Sequence, residues 1–367
     1  MLDKYIDERA LYFEKIYRDI ELEILINVAR MIKNNGLNQT GIYQLEQLNK
    51  MLGLDRNVLE VIAKISGKPL EEILATMNTI GFGSIDFTTY RKAYEIGALP
   101  KTIDNLVLQP YIDKTSDITY KLIKSVELSA RENVFKQFRE QVDKATIETL
   151  NGIKTPNKAM VDAVRNLNKQ GIRSATYMSK DKEVHHQLES TMLRVIRTEF
   201  IKVSNDVAHN VGIDLGVEHW YITQHLGARD KGIGHENHAS WQGRVVTTEE
   251  LETIAGYGSI TGLGGINCRH RHYAHIIGVS PEPPEQIDLE ENAEAYALQQ
   301  RQRLLERRVR ESKREVLMIR ELGDNEEVLN ELKKSEALVK RRQKQLREFV
   351  NVNNLKRNYT NEKVVGY

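Results

Sequence analysis

Apolar residues recur at helical spacing from Leu2 to about residue 210, lose that period between about 211 and 280, and recover it afterwards. In "YFEKIYRDIELEILINVARMIKNNG", Ile16, Ile20, Ile24, Val28, Met31 and Ile32 fall on one helical face, and "NNG" supplies a stop. "GIYQLEQLNKMLGL" and "DRNVLEVIAKISG" read as shorter helices, the second with Asp55 as its N-cap. Pro69 opens a further helix that ends at Gly81, and Ser116 to Leu150 is a long amphipathic stretch. Another helix has Thr155 as cap, Pro156 in its first turn and Gly171 as stop. The helix expected at Glu183–Val211 places Leu188, Met192, Val195, Ile196 and Val203 on its apolar face. No internal repeat is visible.

The period changes at "GVEHWYITQH". Aromatic and β-branched residues alternate over 217–223, which predicts a strand, and "GRVVT" predicts a second, shorter one. A glycine-rich region follows to Ser280, and "SPEPPEQ" holds three of the seven prolines. Beyond it Leu298, Leu305, Val309, Val316 and Ile319 form a heptad seam interrupted by Gln302 and Ser312. "GDN" at 323–325 breaks the helix, and Val328, Leu332, Val339, Leu346 and Phe349 continue a comparable stripe. The expected fold is therefore mainly α. It has a helical part over 1–210, a small α+β module over 211–280, a proline-rich linker over 281–287 and a helical hairpin or coiled-coil tail over 288–367.

A net charge of +1 gives no overall pull toward nucleic acid or a membrane surface. The basic run "KRRQKQLR", around Arg341, reads either as a phosphate contact or as a solvated helix face. No apolar run approaches the roughly 20 residues that a membrane helix needs. One cysteine excludes an internal disulfide framework and fits a reducing compartment. The start, "MLDKYIDERALYFEKIYRDI", lacks a signal peptide's apolar core, so synthesis in the cytoplasm is expected.

All ten histidines, both tryptophans and the one cysteine lie between His185 and His275. His235 and His238 are three apart in "GHENHASWQG", and Cys268 and His270 follow about thirty residues later. Imidazole nitrogen and thiolate sulfur are ligands that tetrahedral zinc favours, so these four residues form a candidate zinc site. The alternative is a set of hydrogen-bonded side chains around a buried loop. Trp241 and Gly243 read as structural, the indole packing the loop and the glycine permitting a turn. Arg229 and Asp230 make either a positioning ion pair or an inconsequential surface pair. Arg269 binds either a phosphate or a carboxylate. "GYGSITGLGG" lacks the preceding strand and the G-K-[ST] of a phosphate loop, and "HENH" is not the zinc-protease H-E-x-x-H.

His238 to Gly243 (H-A-x-W-Q-G), a glycine-rich spacer, Asn267 to His270 (N-C-R-H) and Gly278 to Ser280 (G-V-S) occur in that order. This combination resembles the phage minor capsid protein 2 family of tailed phages and prophages. The resemblance runs through Ser280, and no comparable motif stands out in the C-terminal hairpin. One departure is Ala274, where the family usually has proline soon after N-C-R-H. The module also resembles, more distantly, the C-terminal domain of Mu F-like head morphogenesis proteins. Laid on this sequence, that domain's C-x-x-C pair falls on His235 and His238, with Gly243 in place. Its C-R-C falls on Cys268 and His270. This second likeness strengthens the zinc expectation, while the motifs of the first mark Trp241, Gly243, Asn267, Arg269 and Gly278 as positions of structural weight.

The resemblance implies a structural virion component, made in the host bacterial cytoplasm and built into the capsid. It would associate with the portal and other head proteins and act in head assembly or DNA delivery. The C-terminal helices would serve self-association or docking. Two alternatives belong to other classes. One is a head-carried effector enzyme, such as a metal-dependent nuclease or an ADP-ribosyltransferase-like toxin, for which His219, His225 and His272 are spare side chains. The other is a DNA-binding packaging factor using the basic helix. No catalytic or organic-cofactor residue is assigned.

Overall fold

The computed structural model describes residues 2–35, 70–179 and 182–367. The fold is mainly α, with one two-stranded and one three-stranded sheet among the described residues. Helix α1 (Leu2–Asn35) is followed by α2 (70–83), α3 (Phe87–Glu95), α4 (Gln109–Leu150) and α5 (Pro156–Gln170). Strands β1 (Arg173–Ser179) and β2 (Lys182–Gln187) lead into α6 (Leu188–Leu215). The module then contributes β3 (His219–Ile222), β4 (Val245–Thr247), α7 (Thr248–Thr253) and β5 (His272–Ala274), before α8 (Leu289–Arg320) and α9 (Glu326–Val352).

The helix ends follow from local chemistry. Thr155 Oγ1 accepts from Lys158 N at 3.1 Å, Pro156 needs no intrahelical partner, and α5 stops at Gly171 with φ +61°. Asn325 Oδ1 caps α9 by accepting from Val328 N at 3.0 Å, directly after the Gly323 break. Several boundaries differ from the periodicity reading: the helix expected to end at Val211 runs to Leu215, and the strand expected over 217–223 spans His219–Ile222. α2 runs two residues past Gly81, and α4 starts at Gln109 with Pro110 in its first turn. Residues 183–187 belong to β2, paired antiparallel with β1, so α6 begins only at Leu188. The short helices expected over 41–67, with Asp55 and Pro69, lie outside the described residues.

The chain gathers into two compact units, each drawn from three separated stretches rather than from one continuous span. One comprises Glu14–Lys68, Lys124–Thr191 and Gln300–Tyr367. Here the two C-terminal helices cover each other: Leu305 and Val309 of α8 cluster with Leu346 and Val350 of α9, and Phe349 and Leu355 pack against them. The apolar seam is thus satisfied inside the chain. Beside it, the buried Glu189 carboxylate meets Arg310 at 2.5 Å, Arg18 at 3.4 Å and Arg314 at 3.7 Å. Burial alone would raise its pKa, but the three guanidiniums outweigh that and hold it below the ordinary carboxylate value. Glu21, also buried, accepts from Ile172 N at 3.1 Å and Glu189 N at 2.8 Å, which satisfies backbone donors where β1 and α6 begin.

The other unit comprises Met1–Phe13, Pro69–Ile123 and Met192–Gln299. Its sheet has the order β4-β3-β5, antiparallel throughout. The alternation predicts a strand here without choosing its inner face; Trp220 and Ile222 of β3 face the core, while His219 and Tyr221 are half-buried. The indole of Trp220 lies on Gly212 of α6, where a Cβ would stand 2.3 Å from Cη2. Its Nε1 donates to Thr248 Oγ1 at 2.9 Å, and His209 stacks on its face at 5.0 Å. The ring is fully buried and held by these contacts.

Gly212→Ala therefore tests the seating of the sheet. An alanine in a helix normally gains about 1 kcal/mol over glycine. Overpacking of about 1–3 kcal/mol opposes it and wins, because the clash is with a pinned ring. The expected outcome is a lower melting temperature and altered tryptophan fluorescence. An unchanged or higher melting temperature would contradict the packing.

Candidate functional site: a histidine–cysteine cluster

Strand β3 continues into Thr223, Gln224 and His225, and the chain returns to it twice. Gly243 N donates to Ile222 O at 3.0 Å, and Thr223 N donates to Arg271 O at 2.8 Å. Gly243 makes its turn at φ +76°, and a Cβ there would stand 2.5 Å from Gln224 Oε1. Between the two returns, 254–268 coils tightly on its own backbone, through Leu263 N to Ala255 O at 2.8 Å and Ile266 N to Ile260 O at 2.8 Å. Arg229 holds this coil by donating to Thr261 O at 3.1 Å and Ile266 O at 2.6 Å. Asp230 does not pair with Arg229 here; it accepts from Asn237 Nδ2 at 3.1 Å.

These turns bring together three of the four candidate ligands. His238, Cys268 and His270 each place a ligand atom within 4.8 Å of the others, and all three are buried. His235 stands outside this group. It sits on the preceding turn, half-buried, with its ring against Gly256 and Nε2 3.1 Å from Thr261 Oγ1. Trp241 is fully buried and forms a wall of the cluster, with ring centroids 4.6 Å from His238 and 4.9 Å from His270. Its Nε1 donates to His235 O at 3.1 Å. His225 stacks on His270 at 4.5 Å.

The other motif residues set the backbone around the cluster. Asn267 adopts φ +58°, a left-handed conformation that asparagine tolerates, and its N donates to Thr198 Oγ1 at 3.1 Å. Arg269 holds a carboxylate, that of Asp7. Gly278, at φ +79°, lies in a turn closed by Ser280 N to Ile276 O at 2.8 Å and by Ser280 Oγ, which accepts from Ile276 N at 2.9 Å. Several partners were not singled out by the residue pattern. Gln242, inside H-A-x-W-Q-G, accepts through Oε1 from His225 N and from His270 Nε2, both at 3.0 Å. Thr261 acts through its carbonyl, which meets His238 Nε2 at 2.8 Å and carries no side-chain signature. Asn205 of α6 accepts from His272 N at 3.0 Å and donates to His270 O at 3.3 Å. Arg271, buried between those two histidines, donates to Asp3 Oδ1 at 2.5 Å and to Ser204 Oγ at 3.3 Å.

Burial sets the protonation states. It pushes the Cys268 thiol up to about 11, with backbone donors opposing, and the His238 imidazole down to about 4, with the Thr261 carbonyl opposing. His270 and His272 are driven well below the ordinary histidine value by burial and by neighbouring positive groups. His209 is lowered by burial against the pull of Asp206. At neutral pH the side chains of His238, Cys268 and His270 are thus uncharged in the metal-free protein.

The buried histidines make stability depend on pH. A histidine lowered on folding contributes stability above its unfolded value and loses it as pH falls toward its folded value. For His238 that window runs from 6.5 down to about 4. By pH 5, at 1.36 kcal/mol per pKa unit, this group alone removes about 2 kcal/mol. Metal-free protein should melt at progressively lower temperature between pH 6.5 and pH 5, where ordinary carboxylates still contribute little. A flat melting temperature across that range would contradict the buried neutral histidines.

The sequence was compared with known proteins. The model of the family described as Phage minor capsid protein 2 matches residues 1–351, extending beyond Ser280 into the C-terminal hairpin. A structural protein of Lactococcus phage LL-H is 26% identical over 273 residues, covering 71% of this chain and 70% of that protein. A structural protein of Lactococcus phage mv4 is 34% identical over 112 residues, covering 30% of this chain and 88% of that protein. No solved structure matches. With the family's pattern running through both units and its motif residues shaping one buried cluster, the chain belongs to the phage minor capsid protein 2 family, a structural component of the phage head.

Proposed function

We propose that this head protein acts at the portal vertex, in few copies, during head assembly or DNA delivery. The observation that carries the reading is the family match over 1–351, together with relatives named as structural proteins. Assembly requires surface that is left uncovered in the isolated chain. The unit containing α5 and the C-terminal hairpin offers one such patch. Ile147 and Leu150, a turn apart at the end of α4, are 58% and 63% exposed, and Ile153 in the following turn is 66% exposed. Three large aliphatic side chains in water at one helix end favour burial against a protein partner, and the portal ring is the partner proposed. Leu305 and Val309 of the heptad seam are covered within the chain, so docking through the C-terminal helices would use their outer faces. Among the described residues no helix is long and apolar enough to cross a membrane.

Replacing Ile147 and Leu150 together by aspartate should leave the purified protein folded, since both side chains are solvated. Its co-purification with the portal, and its incorporation into heads, should fall by roughly tenfold or more, as for loss of an interface anchor worth at least about 1.4 kcal/mol. Undiminished incorporation would show that this patch is not the docking surface. Salt-sensitive DNA binding by the isolated protein, lost on neutralising Arg341 and its neighbours, would instead favour the packaging-factor reading.

A further inference from the structure

Assembly through surface contacts leaves the buried histidine–cysteine cluster without a task. Its hydrogen bonds determine which atoms are free to bind something. The Thr261 carbonyl can only accept, so His238 Nε2, 2.8 Å away, carries its proton and the ring's lone pair is on Nδ1. Gln242 Oε1 accepts from the backbone N–H of His225 at 3.0 Å, which identifies that atom as the oxygen. His270 Nε2, 3.0 Å from the same oxygen, is therefore also a donor, and its lone pair is on Nδ1. That Nδ1 faces Cys268 Sγ at 3.6 Å.

Both imidazoles thus commit one N–H to a carbonyl oxygen of the protein, the arrangement by which metal-bound histidines are held in tautomer and orientation. Two ligands at roughly 2.0–2.3 Å from a tetrahedral centre stand roughly 3.3–3.7 Å apart. The Cys268–His270 spacing of 3.6 Å already meets that, and a ring nitrogen of His238 lies within 4.8 Å of the ligand atoms of the other two. Two nitrogens and one sulfur, with no carboxylate in the group, select a borderline-soft cation over magnesium or calcium.

We propose that His238, Cys268 and His270 bind one zinc ion, through Nδ1 of each imidazole and the Cys268 thiolate. On binding, the Sγ–H proton passes to solvent as the Sγ–Zn bond forms, with no change in oxidation state. The ion ties the turn at His238 to the approach of β5, two segments separated by 268 − 238 = 30 residues. Trp241, Gln242 and His225 pack on His270, and all three ligands are buried. The ion would therefore staple the fold by joining these segments, with its fourth position filled from outside this side-chain set. This site does not depend on where in the head the protein sits.

The test uses the full chain, stripped with a chelator and then titrated with zinc chloride or cobalt(II) chloride. The expected result is about one zinc per chain and a melting temperature raised by several degrees. The cobalt(II) form should show thiolate-to-metal charge-transfer absorption. Because Cys268 is the one cysteine in the chain, such a band assigns the ion to this cluster without any variant. Cys268→Ser should abolish the band, and His238→Ala should weaken metal retention by roughly tenfold or more. Folded wild-type protein that takes up no zinc at equimolar concentration would overturn the proposal. Cobalt(II) bound without a charge-transfer band would overturn it equally, since the ion would then sit elsewhere.

Discussion

The contact between Trp220 and Gly212 is the constraint on which the central module rests. A side chain at 212 would occupy the space of the indole ring, so only glycine lets β3 lie this close to α6. The buried indole needs an acceptor for Nε1 and finds it in Thr248, directly after the cap residue of α7. Trp220 is paired with Val246 of β4 on one side and Ala274 of β5 on the other, so the seated residue also sets the register of both neighbours. Asn205 lies 212 − 205 = 7 residues earlier, on the same face of α6, and fixes the chain on both sides of Arg271. One helix face thus positions the sheet and the entry to β5.

The interior of the module is polar: without metal its buried histidines are held neutral, and the buried Arg271 is paired with Asp3. A region this rich in glycine has few aliphatic side chains to bury, and imidazole and indole rings take their place. Such a core gains stability where its buried polar atoms find partners. The carbonyl of Thr261 and the amide of Gln242 supply partners for His238 and His270. The unit built on α8 and α9 balances buried charge instead: Glu189 lies among three arginines, which hold its pKa below the ordinary carboxylate value.

Much of this is legible in the sequence because it rests on local chemistry. The Thr155–Pro156 start, the Gly171 stop, the Gly323 break and the β3 alternation each depend on residues within a few positions of one another. β5 is too short, at His272–Ala274, to show a period, and β1 with β2 is a pairing between segments. The stretch 183–187 carries helical neighbours downstream but is claimed by its partner strand, which overrides its own preference. At the cluster, the concentration of histidine is visible in the sequence. The separation of His235 from His238 is not, because spacing cannot show which of two adjacent turns faces inward. Nor can it show that a backbone carbonyl, rather than a side chain, holds His238.

Membership of the family makes the chain a structural part of the head, and its two folded units are what the head incorporates. An asymmetric electron cryomicroscopy reconstruction of the mature particle tests the placement at the portal most directly. The expected result is density for the β4-β3-β5 sheet and its histidine–cysteine cluster at the portal vertex, with the end of α4 at Ile147 and Leu150 buried against the portal ring. Density for the chain at every capsid vertex, in the tail, or nowhere in the particle would contradict it.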